Sequence, residues 1–364
     1  MHYFLSCTSC GKKLPEDCSE FRCSKCKGIL EVNYDYNKIG ELSKTSAINN
    51  ERYSFLFPIH QRLFSLNEGG TQLVENTIFG IKIKLKLETQ NPTRSFKDRG
   101  SAVEITKAIE FGFDGVCCAS TGNMGLSIAT YAKIAGKKCT IFISKDAYPD
   151  KIGRIKEAGA EVVEVDGDFN DALDAAEKFA VKNGSFLCGD YHFRKEGQKS
   201  VMFEILEQSQ YSVPDFLFVP VGNATLLSAV YKALLEFRRL SLIKTFPRIV
   251  AVQASGCSPL IDAYNKNKEI ERIRPKTIAD AIAVGYPTFG FEGLESLRAT
   301  DGVAIAVDDE EIINARRILN ENGISSEPGG ASAFAGFIKL KNKNKNYFHK
   351  KSCVVIVSGD NEKI

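Results

Sequence analysis

From about residue 80 to the end of the chain, short apolar runs alternate with longer amphipathic stretches. Residues 81–88 (IKIKLKLE) alternate apolar and polar side chains with a period of two, which is typical of a half-buried strand. Further strands are predicted at 115–120, 138–144, 161–166, 215–222, 248–255, 303–307 and 353–359. Helices are predicted at 98–111, 121–136, 150–158, 170–183 and 224–240. Strands separated by helices of about 10 to 20 residues indicate crossover connections, so we expect parallel sheets covered by helices on both faces.

The first 33 residues follow a different pattern, with few apolar positions and two closely spaced cysteine pairs. Cys7 and Cys10 form one C-x2-C pair, and Cys23 and Cys26 form another. Two such pairs complete a tetrahedral set of thiolates, which leaves no open position for catalysis. The sequence therefore predicts a structural zinc ribbon, in which the metal supplies stability that so few apolar residues cannot. The alternative is that the four cysteines are free.

Composition and charge exclude several classes of protein. The 364 residues, 43% of them apolar and 26% charged, are typical of a globular protein with two domains. The net charge of +3 is too small to indicate a nucleic-acid partner, and no apolar run of about 18 residues predicts a membrane span. The N-terminus lacks the pattern of a secretory signal, and eleven cysteines in such a chain favour metal ligands and buried thiols over disulfides. We therefore expect a cytoplasmic protein without nucleic-acid or membrane partners.

Small polar residues follow three of the predicted strands, at 120–123, 222–225 and 358–359. Ligands of parallel α/β sheets bind beyond the carboxyl ends of the strands. A helix that begins there presents unpaired N–H groups and a partial positive charge, which suit a phosphate or a carboxylate. Each cluster taken singly is also an ordinary helix cap or turn. Together the three clusters predict a ligand site.

The absence of common catalytic motifs draws attention to one lysine. The chain contains neither G-x4-G-K-[ST] nor a G-x-G-x-x-G turn after its first strand, and its four histidines fit no metalloprotease or hydrolase pattern. Lys97 lies in NPTRSFKDRG (91–100), next to Phe96 and near Arg94 and Arg99. Nearby cations disfavour an ammonium group and Phe96 can exclude water, so Lys97 is a candidate nucleophile. The competing interpretation is a solvated surface lysine.

The segment 91–100 resembles the lysine motif of fold-type-II pyridoxal-phosphate (PLP) enzymes, and it is most similar to the NPTGSFKDRG of the threonine synthase family. Further blocks that resemble this family occur in the same order at 67–75, 119–123, 196–200, 220–224, 276–282 and 326–336. The N-terminal ribbon is similar to that of some family members. The resemblance implies a two-domain fold of the tryptophan synthase β type, with parallel sheets and flanking helices. The implied domains are a ribbon at 1–33, a large PLP-binding domain at 34–104 with 203–364, and a smaller α/β domain at 105–202.

The resemblance also implies a role for each matching residue. Lys97 would hold the cofactor covalently and carry protons, while Asn123 and Ser358 would bond to the ring hydroxyl and the ring nitrogen of PLP. The loop 222–226 would bind the cofactor phosphate. The implied cofactor-binding residues are Phe96, Lys97, Asn123, Gly222, Asn223, Ala224, Thr225, Leu226 and Ser358. The implied substrate-binding residues are Arg94, Ser95, Arg99, Ser120, Thr121 and Arg194, with Arg99 and Arg194 as candidates for a substrate phosphate.

The implied enzyme is a homodimeric carbon–oxygen lyase that converts O-phospho-L-homoserine and water to L-threonine and phosphate by γ-elimination and β-replacement. Four features depart from the family pattern: Arg94 in place of glycine, Met124 in place of a hydroxyl residue, GDYHFR at 189–194, and Thr225–Leu226 in place of Gly-Asn. They leave open a β-replacement enzyme acting on O-phosphoserine and a serine/threonine dehydratase, because one scaffold hosts several chemistries. A binding protein that retains the fold without PLP is a further alternative.

Overall fold

The computed structural model describes residues 3–38, 47–120, 122–145, 149–167, 169–344 and 347–360. The chain divides into two compact units, Met1–Gly70 with Lys97–Gln198 and Thr71–Phe96 with Lys199–Ile364. The chain therefore passes from one unit to the other directly before Lys97. This division assigns residues 34–70, 97–104 and 199–202 differently from the predicted domains, whose boundaries stay a prediction.

The first unit begins with a small antiparallel sheet. Its strands β1 (Tyr3–Cys7), β2 (Lys13–Leu14) and β3 (Leu30–Tyr34) are arranged in the order β2-β1-β3. Buried and half-buried residues alternate along β1 and β3, as the period of two in a strand requires. A one-sided sheet of this kind buries few apolar side chains, which agrees with the low apolar content of the segment.

A four-stranded parallel sheet in the order β8-β7-β6-β9 forms the body of the first unit. Its strands are β6 (Gly115–Ala119), β7 (Lys138–Ser144), β8 (Glu161–Val165) and β9 (Phe186–Leu187). The helices of this unit are α1 (Lys97–Glu110), α2 (Asn123–Ile134), α3 (Pro149–Glu157), α4 (Phe169–Asn183) and α5 (His192–Gln198). Every residue of β6 is buried, as expected of a central strand that is covered on both faces.

A six-stranded sheet in the order β12-β11-β10-β13-β5-β4 forms the second unit. Its strands are β4 (Leu73–Ile78), β5 (Ile81–Leu87), β10 (Phe216–Pro220), β11 (Arg248–Ala254), β12 (Val303–Val307) and β13 (Cys353–Val357). The helices are α6 (Ser200–Gln208), α7 (Thr225–Arg239), α8 (Pro259–Lys266), α9 (Gly290–Ala299), α10 (Asp309–Glu321) and α11 (Pro328–Lys343). All pairings are parallel except that of β4 with β5, so the carboxyl ends of β5, β10 and β13 lie at one edge.

The predicted alternation of strands and helices is confirmed, and the ends of the predicted elements agree within two residues. The sequence did not predict every element: it missed the helices α5, α6 and α8 to α11 and the strands β1 to β4 and β9. All seven residues of α5 (HFRKEGQ) are buried although five of them are polar, so the sequence shows no apolar face there. In the part of the chain that the structure describes, no helix is both long and apolar enough to cross a membrane.

Candidate active site

The loop that precedes Lys97 begins in a buried polar network of the second unit. Glu88, in a short 3₁₀ helix after β5, accepts hydrogen bonds from Thr71 Oγ1 at 2.7 Å and from Asn91 Nδ2 at 2.9 Å. All three side chains are buried. The N–H of Arg94 then donates to the carbonyl of Asn91 at 2.8 Å, which turns the chain directly after Asn91. The network therefore holds the loop at the carboxyl end of β5.

The three residues before Lys97 pair in antiparallel fashion with the chain that follows β13. The N–H of Asp360 donates to the carbonyl of Arg94 at 2.9 Å, and the N–H of Phe96 donates to the carbonyl of Ser358 at 3.1 Å. Arg94 adopts a left-handed backbone conformation with φ +62°, and its guanidinium forms an ion pair with the carboxylate of Asp360. The structure thus joins the predicted residues Arg94, Phe96 and Ser358 in one short ladder.

Ser95 and Ser358 differ in whether their hydroxyl groups are accessible to a ligand. Ser95 forms the middle of the ladder, as an antiparallel bridge with Gly359, and its side chain is fully buried. Ser358 is 5% exposed, and within the described residues its hydroxyl forms no hydrogen bond. The Ser358 hydroxyl, at the carboxyl end of β13, is therefore available for a further hydrogen bond, and its ligand stays a prediction.

Lys97 is the first residue of α1 and belongs to the first unit, where buried polar contacts hold the helix. Its side chain is half-buried. Arg194 Nη1 donates to the carbonyl of Lys97 at 3.1 Å, and Ser101 Oγ donates to the same carbonyl at 3.2 Å. Ser127 Oγ donates to Asp98 Oδ1 at 2.5 Å. These contacts fix the first turn of α1 and with it the backbone that carries the candidate nucleophile.

Arg99 and Arg194, two of the arginines predicted to bind a substrate phosphate, are fully buried. Arg194 forms an ion pair with Glu104, which also accepts the N–H of Gly189 at 2.8 Å. Burial raises the pKa of Glu104 to about 7, although the guanidinium of Arg194 acts in the opposite direction. Because Arg194 is committed to protein groups, the geometry favours a role in positioning α1 over a contact with substrate. The predicted role of Arg99 stays a prediction.

The strand end after β6 places Ser120 and Asn123 at the N-terminus of α2. Asn123 is the first residue of the helix, and the N–H of Gly122 donates to Ser120 Oγ at 3.3 Å. Both predicted side chains are largely buried, as is Met124. Thr121, also predicted to bind substrate, lies outside the described residues. The ligands of Ser120 and Asn123 stay a prediction.

The loop 222–226 forms a backbone turn at the N-terminus of α7. Ala224 precedes the helix with φ +60°, and Asn223 Oδ1 accepts hydrogen bonds from the N–H of Thr288 at 3.1 Å and from its hydroxyl at 3.2 Å. A Cβ atom on Gly222 would lie 3.1 Å from a neighbouring Cα atom, so the close approach there suits glycine. Thr225 and Leu226 begin the helix and are buried. Since the first N–H groups of a helix lack carbonyl partners within the helix, this turn can donate to a phosphate.

The four cysteines of the N-terminal segment converge, as predicted. The sulfurs of Cys7, Cys10, Cys23 and Cys26 all lie within 4.8 Å of one another. The Cys7–Cys26 and Cys10–Cys23 Sγ–Sγ distances are 3.4 and 3.7 Å. Sulfurs at the corners of a tetrahedron about 2.3 Å from a zinc ion are about 3.8 Å apart, so this spacing fits zinc. Burial raises the pKa of Cys7, but N–H groups of the knuckle outweigh it and lower the pKa to about 6. The Gly28 N–H lowers the pKa of Cys26, but the hydrogen bond between the Cys7 and Cys26 sulfurs outweighs it and raises the pKa to about 12.

Comparison with known proteins identifies the class. Residues 64–359 match the family described as pyridoxal-phosphate dependent enzyme. Maize serine racemase shares the fold with a TM-score of 0.70 at 25% identity, over 81% of this chain and 89% of that chain. Threonine deaminase isoform 2 from Solanum lycopersicum gives a TM-score of 0.69 at 22% identity, over 81% and 80%. The chain belongs to the family of pyridoxal-phosphate dependent enzymes, and the predicted fold class is confirmed.

Curated relatives narrow the assignment. The threonine synthase of Methanocaldococcus jannaschii is 38% identical over 353 residues, which cover 92% of this chain and 86% of that protein. The threonine synthase of Methanosarcina acetivorans is 36% identical over 93% and 87%. Within its family the chain therefore falls with the threonine synthases, as the motifs predicted.

The chemical groups that PLP requires are present in the described residues. Lys97 supplies an amine on a fixed helix, Ser358 supplies a hydroxyl at a strand end, and the turn at 222–226 supplies N–H groups for a phosphate. The left-handed Ala224 and the confined Gly222 shape that turn for an anion rather than for a side chain. The residues thus fit the cofactor of the family.

Sequence reasoning missed the acidic partners of these residues. Glu88, Glu104 and Asp360 are buried, and each accepts a hydrogen bond or ion pair from a residue of the lysine segment or its support. The position of a carboxylate within a predicted helix or after a strand does not show by itself that the group is buried or which cation it pairs with. Its partner, Arg194 in the case of Glu104, is 90 residues away in the chain.

Proposed function

We propose that this protein converts O-phospho-L-homoserine and water to L-threonine and phosphate with PLP as its cofactor. The observation that carries the proposal is the 38% identity to a threonine synthase over 92% of the chain. In the overall reaction the Cγ–O bond breaks and phosphate leaves. The hydroxyl of water then bonds to Cβ, and Cγ gains a proton to become the methyl group of threonine.

In this proposal Lys97 carries the protons. PLP, when bound, withdraws electrons from Cα of the substrate. Lys97 Nζ holds the cofactor and moves the protons taken from Cα and Cβ, which a half-buried amine on a rigid first turn suits. Phe96 excludes water beside it, as a half-buried aromatic side chain directly before the lysine.

The remaining residues bind and orient. The turn at 222–226 binds the cofactor phosphate, Asn123 bonds to the ring hydroxyl, and Ser358 meets the ring nitrogen. A hydroxyl partner leaves that nitrogen largely unprotonated. Ser120, Thr121 and Asn123 bind the substrate carboxylate. Ser95 binds the substrate, and Arg99 is the candidate for its phosphate. The fully buried Arg194 supports Lys97 instead.

The test is a substrate panel with product identification. Purified enzyme is given O-phospho-L-homoserine, O-phospho-L-serine with sulfide, L-serine or L-threonine. We expect phosphate and threonine in equal amounts from the first substrate alone. Lys97→Ala should lower turnover by about a thousandfold or more, whereas Lys178→Ala, on the exposed side of α4, should not. Equal turnover of O-phosphoserine, or ammonia release from serine, would assign the activity to a β-replacement enzyme or a dehydratase.

We also propose that the four cysteines bind one structural zinc ion. The convergence of their sulfurs supports this. Metal analysis should find about one zinc per chain, and Cys10→Ser should lower both the zinc content and the Tm. Cys18→Ser is the matched control, because Cys18 lies outside the cluster. A metal-free preparation with an unchanged Tm would contradict the structural role.

We further propose a homodimer, which the resemblance supports, and a cytoplasmic location, which the cysteine content supports. Sedimentation or light scattering of the holoenzyme measures the mass directly. A monomer that retains full turnover would overturn this part of the proposal.

A further inference from the structure

Arg94 stands out as a side chain with an unusual backbone conformation and an unusual partner. Its φ of +62° lies in the left-handed region, which strains a residue that has a Cβ atom. Its guanidinium, 47% exposed, pairs with a carboxylate that is 1% exposed, that of Asp360. A buried carboxylate without a cation or donor is strongly unfavourable. The arginine side chain therefore supplies a counter-charge for the Asp360 carboxylate, which a glycine in the same conformation would not supply.

The ion pair closes one end of the ladder before Lys97. Asp360 receives the Arg94 side chain and donates its N–H to the Arg94 carbonyl. Two residues further on, the N–H of Phe96 donates to the carbonyl of Ser358 at 3.1 Å. A pairing of three residues is short, so an ion pair at its first rung adds a second constraint on its register. Phe96, at the last rung, directly precedes Lys97 in the chain.

We propose that Arg94 and Asp360 form a clip that fixes the register of the lysine loop against the end of β13, so that Arg94 is a positioning residue and not a substrate contact. The proposal rests on the proposed roles of Lys97 and Ser358 toward PLP. It explains why an arginine occupies a strained position next to the lysine. It also assigns a function to Asp360, which no sequence motif indicated.

The experiment compares Arg94→Gln, Asp360→Asn and the double variant as holoenzymes. We expect kcat to fall about tenfold or more in each single variant while KM for the phosphorylated substrate stays within about twofold. The dissociation constant of PLP, measured by fluorescence after stripping and readdition, should rise in parallel. The double variant should be no worse than the poorer single variant, because both changes remove one interaction. Arg317→Gln, which breaks an exposed ion pair on α10, is the matched control.

A substrate-binding role for Arg94 gives the opposite pattern. KM for phosphorylated substrates would then rise in Arg94→Gln, PLP affinity would not change, and Asp360→Asn would behave as the wild type. That result overturns the clip. Should Arg94→Gln fail to fold, the nearly isosteric Asp360→Asn carries the same test. PLP affinity is measured without substrate, so the clip can stand even if O-phosphohomoserine proves not to be turned over.

A second, independent observation concerns the small antiparallel sheet of β1 to β3 in the first unit, which is called the ribbon below. Tyr34 Oη, on β3, donates to the carboxylate of Glu196 at 2.6 Å, and Glu31 forms an ion pair with Lys195. These two residues of α5 directly follow Arg194, whose guanidinium donates to the carbonyl of Lys97. All seven residues of α5 are buried.

The geometry points to the ribbon as a brace for α5, and through Arg194 for the first turn of α1. Tyr34 and Glu31 are thus positioning residues that act through Arg194, again on the proposed role of Lys97. In the test, Tyr34→Phe and Glu31→Gln should speed amide hydrogen exchange in α5 and at the start of α1, and should raise the dissociation constant of PLP. Their zinc content should not change.

Asn33→Ala is the matched control for the brace. Asn33 lies on the same strand, but among the described residues its side-chain amide donates only to Ser6 Oγ at 2.8 Å and to the carbonyl of Glu31 at 3.1 Å, both in the sheet of β1 to β3. If Tyr34→Phe and Asn33→Ala gave equal exchange rates in α5 and equal PLP affinity, the brace would be refuted. Loss of turnover without these two changes would count against it as well.

Discussion

The chain on the two sides of Lys97 is held in different ways. Before it, the loop from Asn91 to Phe96 belongs to the second unit and depends on short backbone pairing, a buried Glu88 network and one half-exposed ion pair. After it, α1 belongs to the first unit and is anchored by a fully buried ion pair, Arg194 with Glu104. Arg94 and Arg194, both predicted to bind the substrate, therefore lie in different environments: Arg94 is half-exposed and Arg194 is fully buried.

The difference separates contacts that stabilise the fold from contacts that position the lysine loop. A fully buried ion pair is costly to break because its remaining charge stays in a low-dielectric interior. A half-exposed pair exchanges much of its interaction with water. We therefore expect loss of the buried pair behind Lys97 to have the larger effect on the free energy of unfolding, and loss of the Arg94–Asp360 pair before it to act also on cofactor affinity and kcat.

The largest effect should come from Arg194→Met. It leaves the Glu104 carboxylate buried without its cation, so we expect a loss of about 3–5 kcal/mol of unfolding free energy in urea titrations. The loss should grow as the pH rises. Folding already raises the pKa of Glu104 to about 7. When the pKa of a carboxyl group is higher in the folded protein than in the unfolded chain, the free energy of unfolding decreases as the pH rises through the folded-state pKa. The double variant Arg194→Met/Glu104→Leu should recover most of the loss; no recovery would show that the pair is not the main anchor.

An intermediate effect is expected from Glu88→Gln in the second unit. The carboxylate accepts from both Thr71 and Asn91, so an amide would face one of these donors with its own NH₂ group. One unsatisfied buried group costs about 1–3 kcal/mol. Glu295→Gln, the same change at an exposed position of α9, should change stability by less than about 0.5 kcal/mol. If both variants unfolded at the same urea concentration, the hydrogen bonds of Glu88 would make no measurable contribution to the free energy of unfolding.

The smallest effect is the difference between Arg94→Gly and Arg94→Ala. Both remove the ion pair, but only glycine relieves the left-handed conformation at φ +62°. Arg94→Gly should therefore be more stable than Arg94→Ala by about 1 kcal/mol in thermal or urea unfolding. Equal stabilities would mean that the loop relaxes out of this conformation when the side chain is lost.

Prediction from the sequence succeeded where the information is local. The period of two in IKIKLKLE indicated β5, and continuous apolar runs indicated β10 and β13. The two C-x2-C pairs indicated a cluster of four sulfurs, which the structure contains. In each case the residues that define the feature lie within a few positions of one another, or repeat a short spacing that geometry requires.

It failed where polar residues are buried by distant partners. The segment HFRKEGQ reads as solvated, yet it forms α5, because Glu31, Tyr34 and Glu104 satisfy its charges. The partners of Arg194, Glu104 and the carbonyl of Lys97, lie far away in the chain in the same way, and its role toward a substrate phosphate stays a prediction. No local pattern shows which of several carboxylates a guanidinium will meet.

The sequence by itself determined the strands β5 to β8 and β10 to β13 with the helices α1 to α4 and α7, together with the cysteine cluster and the lysine motif, since these follow from side-chain periodicity and short spacings. Only the tertiary structure decided that Arg94 pairs with Asp360 and Arg194 with Glu104. The physical reason is that burying a charge is favourable only against a specific partner, and that partner is chosen by the packing of the whole chain rather than by its neighbours in sequence.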